Sequence, residues 1–126
     1  MNHMVADAKM PVLFVGHGSP MNALAENQYT KRLNDLGTIL PIPKAILVIS
    51  AHWMTEGTWL TAMKYPPTIH DFSGFPEELY NVNYPAPGDP DLVERIINNC
   101  APIPFLKDFS HWGFIVTGKQ IGRAHV

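Results

Sequence analysis

The sequence predicts an α/β fold with a central, mostly parallel sheet flanked by helices. Three observations predict it. Two short apolar runs, Val12-Leu13-Phe14-Val15 and Ala45-Ile46-Leu47-Val48-Ile49, have the β-branched character of buried parallel strands. Each run breaks into small residues where a histidine stands, in Gly16-His17-Gly18-Ser19-Pro20 and in Ser50-Ala51-His52-Trp53. Between them lies a stretch of helical spacing, so the order strand, helix, strand suggests a right-handed parallel crossover.

Taken in order, residues 1–9 read as a loose leader and Met10 as a plausible true start. Residues 11–16 form the first predicted strand, and Gly16 to Asn22 a turn-rich loop. Leu24, Leu33, Leu36 and Ile39 share approximate helical spacing over 23–38, with Gly37 as the stop. Pro41 and Pro43 precede the second strand, 45–50, and Thr58-Trp59-Leu60-Thr61-Ala62-Met63 suggests a third. Residues 65–88 read as a long ordered loop, because aromatic and aliphatic residues interleave with its prolines. Asp89 followed by Pro90 opens a helix over 90–100 through Leu92, Val93, Ile96 and Ile97, and Pro102 ends it.

Composition removes several function classes. The chain has 126 residues, 46% of them hydrophobic, enough for one domain with a core. A net charge of −2 without a basic block gives nothing to recruit nucleic acid or an anionic membrane. The single cysteine, Cys100, excludes an internal disulfide framework. With no membrane-length apolar run and no signal-peptide core, a cytoplasmic protein is the expectation.

α/β folds place their chemistry at the carboxyl ends of parallel strands. Two imidazoles there, His17 and His52, suggest two ligands on one ion such as zinc or iron, with a third protein ligand and an open position still needed. The plainer reading of either histidine alone is a loop residue bonded to backbone. In the stretch Thr68-Ile69-His70-Asp71-Phe72-Ser73-Gly74-Phe75-Pro76, a histidine beside a carboxylate among aromatics suggests substrate contact or proton movement; the alternative is a loop that His70 braces. His3, His111 and His125 attract no chemistry, and no spacing selects among Asp35, Glu56, Asp71, Glu77 and Glu78 as carboxylate ligands. Gly16-His17-Gly18-Ser19 is neither a phosphate loop nor a nucleophile elbow.

Four motifs then occur in a fixed order: Gly-His-Gly-Ser-Pro-Met-Asn at 16–22, Ser-Ala-His-Trp at 50–53, His-Asp-Phe-Ser-Gly-Phe-Pro at 70–76 and Tyr-Pro-Ala-Pro-Gly at 84–88. Over residues 10–114 the chain resembles the class III extradiol ring-cleavage dioxygenases, in the 4,5-DOPA dioxygenase branch of the LigB-like superfamily. Ser73 stands where that family usually has glycine. The resemblance implies ring opening of a catechol-type, DOPA-like substrate by O2 at a non-haem metal, Fe(II) for catalysis, with Zn(II) also found bound. It implies that His17 and His52 are metal ligands and that His70 and Asp71 lie near the pocket, contacting substrate or supporting the ligands. It also implies a monomer for full-length members.

The resemblance stops at Phe114. The family's third histidine ligand lies further downstream, and the Asp-His-Gly that supplies its favoured acid-base histidine is replaced after Trp112-Gly113-Phe114 by Ile115 and Val116. No acid-base residue is therefore assigned. Residues 115–126 read as a tail outside the family, and Ile121-Gly122-Arg123-Ala124-His125-Val126 is what a common sequencing adapter encodes in one reading frame. The expectation is a truncated, inactive dioxygenase fragment that tends to self-associate. The alternatives are a tetrapyrrole metal chelatase, which also carries a histidine in such a glycine context, and a metal-binding fragment without turnover.

Overall fold

The structure, a computed structural model, describes residues 9–16 and 18–115. It is an α/β arrangement in which every strand pair among the described residues is parallel. Helix α1 spans Gln28–Ile39, strand β1 Thr58–Thr61, strand β2 Thr68–Ile69, helix α2 Glu77–Tyr80, helix α3 Pro90–Asn99, strand β3 Phe105–Asp108 and strand β4 Phe114–Ile115. β1 pairs with β3, Thr58 opposite Phe105 and Thr61 opposite Asp108. β2 pairs with β4, Thr68 opposite Phe114. Both pairs are closed by crossovers that include α3, because parallel neighbours need a long connection.

The strands are not the ones the apolar runs point to. Segments 11–16 and 45–50 join no ladder among the described residues. Val12, Phe14 and Ile49 are 99%, 102% and 92% exposed. A buried parallel strand needs a partner on an edge and cover on both faces. Apolar patterning supplies neither, so the runs form no ladder and leave apolar side chains in water. The expected crossover through 23–38 is accordingly not a sheet connection among the described residues.

The helices follow their caps. The expected helix over 23–38 starts later, at Gln28, because Asn27 and Thr30 form a capping box: Asn27 Oδ1 accepts the Thr30 N–H at 3.0 Å and Thr30 Oγ1 accepts the Asn27 N–H at 2.9 Å. Before it, Ser19 caps a short 3₁₀ turn over Pro20–Ala23. α1 runs through Gly37 and ends where Leu40, extended, precedes Pro41. α3 begins as expected: Asp89 accepts the Leu92 N–H at 3.0 Å, and Pro90 stands where no N–H is needed. The third predicted strand ends at Thr61, two residues early.

The 65–88 stretch is tied together by polar and aromatic side-chain contacts. It holds β2 and α2, and Thr68 Oγ1 accepts the Tyr84 N–H at 3.0 Å across it. The buried apolar residues Leu33, Ala62, Leu79, Ala86 and Val93 form the core, with Leu79 of α2 fully enclosed. Two glycines permit close chain approach. A Cβ on Gly88 would lie 1.9 Å from the Met63 carbonyl oxygen, and one on Gly113 1.9 Å from that of Pro67. The expected leader falls mostly outside the described residues, as does the tail from 116 onward.

Candidate active site

His52 follows the 45–50 segment, and its N–H lies 3.2 Å from Ser50 Oγ. Its ring faces the residue after His70: His52 Nδ1 is 3.8 Å from Asp71 Oδ2. The structure thus joins two of the three expected site segments. Both side chains remain open to solvent, at 31% and 56%. At 3.8 Å the pair is too long for a hydrogen bond and is an ion pair only when the imidazole is protonated.

His70 is used differently. Its Nε2 lies 2.7 Å from the Val82 carbonyl oxygen, so in the neutral ring Nε2 carries the proton and Nδ1 is the acceptor. Phe72 meets the imidazole edge-on with centroids 5.9 Å apart, and Tyr80 covers it at 6.3 Å. His70 therefore braces the loop against α2, while Asp71 projects outward. His17 lies outside the described residues. Before it, the Gly16 carbonyl accepts the Tyr29 hydroxyl at 2.6 Å, which ties this loop to α1.

Beside His52, Trp53 stacks on Trp112, centroids 5.6 Å apart and planes 1° from parallel. Trp112 is held by Asp108 at the end of β3. This buried carboxylate accepts the N–H groups of Ser110 and His111 at 3.0 Å on Oδ1 and of Trp112 at 2.7 Å on Oδ2. Burial by itself raises the Asp108 pKa. The three backbone N–H groups and the His111 ring outweigh it and hold the carboxyl below its ordinary range. Ser110, His111 and Asp108 are not a nucleophilic relay, because hydroxyl and carboxylate both meet His111 Nδ1, at 2.8 and 3.4 Å.

Sequence reasoning missed Asp108 and the indole pair. An aspartate at a strand end followed two residues later by serine is a turn signal, but Pro102 and Pro104 conceal the strand before it. No three metal-binding side chains converge among the described residues. His52 with Asp71 is one imidazole and one carboxylate, which does not by itself make a non-haem iron or zinc centre. The described residues alone therefore do not fit the metal. Nor is any described helix long and apolar enough to cross a membrane.

Fold and site together define an α/β protein with parallel strand pairs and an imidazole, a carboxylate and two stacked indoles at loop ends. No family model matches the chain. It is 55% identical to the 4,5-DOPA dioxygenase extradiol of Escherichia coli K12 over 111 residues, 88% of this chain and 41% of that protein. It is 42% identical to the 4,5-DOPA dioxygenase extradiol of Beta vulgaris over 86 residues, 66% of this chain and 32% of that one. The crystal structure of an uncharacterized Escherichia coli K12 protein matches with a TM-score of 0.67 at 45% identity, covering 88% of this chain and 41% of its own. The chain belongs to the LigB-like extradiol dioxygenases, in the 4,5-DOPA dioxygenase branch, as a partial chain. It spans about two fifths of the length of the Escherichia coli relative.

Proposed function

We propose that this chain supplies part of an extradiol ring-cleaving dioxygenase that opens a catechol-type, DOPA-like aromatic with O2 at a non-haem metal. The observation that carries the reading is the 55% identity to the Escherichia coli 4,5-DOPA dioxygenase extradiol across 88% of the chain. His17 and His52 are the proposed ligands, Fe(II) the catalytic metal and Zn(II) an alternative occupant. Asp71 is proposed to lie beside His52 at the pocket, where its carboxylate stands 3.8 Å from the ring. His70 is proposed to shape the pocket wall through its bond to Val82. Further donors come from the longer family chain, and this polypeptide alone does not turn over.

A metal-binding segment without turnover is the second reading. The relatives' names favour a dioxygenase over a tetrapyrrole chelatase. Oxygen uptake and product absorbance, with Fe(II) and a catechol, test both this chain and a version extended to the relatives' length. Product from the extended protein and none from this chain is the expected result. Ring cleavage by this chain would overturn its assignment as inactive, and none from an active-metal-loaded extended protein would overturn the dioxygenase reading.

A further inference from the structure

We propose that Asp108 is a positioning residue for the His52 segment, acting through the Trp112–Trp53 stack. The proposal rests on the reading of His52 as a site residue.

The path is short and each link is a contact. The Asp108 backbone is fixed first: its carbonyl accepts the Ala62 N–H at 2.8 Å, and it lies opposite Thr61 in the β1·β3 ladder. From that anchor its carboxylate gathers three consecutive N–H groups, 110 to 112, and wraps the chain around itself. Thr61 Oγ1 donates to the Trp112 carbonyl at 3.3 Å and fixes the same residue from its other side. Gly113 is then drawn against Pro67, an approach that leaves no room for a Cβ. With the Trp112 backbone held on both flanks, its indole presents a flat surface to Trp53. Trp53 adjoins His52 in sequence, so the stack limits where the His52 backbone can go. No ladder holds the 45–50 segment that leads to His52 among the described residues. The indole stack is thus a tertiary restraint at that end of the segment.

A carboxylate suits this task and its amide does not. Three N–H donors need an acceptor on both branches of the side chain, and asparagine offers one oxygen and turns an NH2 toward a donor. Asp108→Asn keeps the volume and removes at least one of these bonds.

Histidine labelling with diethyl pyrocarbonate, read residue by residue by mass spectrometry, tests the link on this chain without any turnover. In Asp108→Asn, His52 labelling is expected to rise several-fold, while His70, held on Val82 rather than on the indoles, keeps its rate. The near-ultraviolet circular dichroism of the stacked indoles is expected to collapse at the same time. An unchanged His52 rate, or an equal rise at both histidines, overturns the proposal. If Asp108→Asn loses its helical signal, Trp112→Leu takes its place, since it leaves the carboxylate's backbone bonds intact. A His52 rate that stays at the wild-type value in Trp112→Leu overturns the proposal. An extended protein that binds metal but cleaves no catechol would defeat the dioxygenase reading and leave this link standing.

Discussion

At Asp108 two electrostatic effects compete. Burial penalises the charge, while three inward N–H groups and an imidazole reward it, and the result is a carboxyl that ionises more readily than usual. A group with a lowered folded pKa contributes stability that is fully present above its unfolded value, about 3.9 for aspartate, and lost as pH falls through the folded value. The indole dichroism is therefore expected to hold at neutral pH and to fade below about pH 4. Asp108→Asn, having lost that dichroism already at neutral pH, should show no acid limb, and a limb identical to the unsubstituted protein's would assign the loss to other carboxylates. Gly113 sets a second residue-scale expectation. Its missing Cβ would sit 1.9 Å from a backbone oxygen, a contact no rotamer relieves. Gly113→Ala should cost at least the about 1–3 kcal/mol typical of overpacking, read as a lowered urea midpoint. An unshifted midpoint would mean that the β2·β4 contact is not part of the cooperative fold. At this scale the sequence singled out His17, His52, His70 and Asp71 as candidates. It did not show that Asp71 would face His52 while its neighbour His70 turned to Val82, because that division depends on how the loop folds back over α2.

Elements whose signals are local were legible. α3 formed where Asp89-Pro90 and the spacing of Leu92, Val93, Ile96 and Ile97 placed it, since a cap and an apolar stripe need only the segment itself. α1 was legible in kind but not in its start, because two competing caps, Ser19 and Asn27, divide the segment into a 3₁₀ turn and a helix. Asn27→Ala removes the side-chain half of the capping box and is expected to cost about 1 kcal/mol, seen as a lower melting temperature of the helical signal. No change in that temperature would argue that α1 is held by its packing through Leu33 instead. The strands were least legible. β3 is four residues long, and its parallel partner β1 lies across a long crossover, so nothing local announces it.

For the whole molecule, the decisive quantity is apolar surface left in water. Val12, Phe14 and Ile49 are almost entirely exposed, on segments with the composition of buried strands. Contiguous apolar side chains left in water favour association with other chains. This polypeptide is expected to sediment as concentration-dependent oligomers. The double substitution Phe14→Ser and Ile49→Lys should shift it toward monomer with its helical signal intact. A monomer at every concentration in the unsubstituted chain would show that these runs are covered in solution.

The sequence by itself determined the α/β class and the caps that open α3, and it named the candidate residues of a site, because propensity, capping and side-chain chemistry are properties of short stretches. Only the tertiary structure decided which segments pair as strands, that Asp71 meets His52, and that Asp108 organises the loop carrying Trp112. Each of those joins residues distant in sequence, and their pairing depends on ladders, close backbone approach and burial of a charge that exist only when the chain is folded.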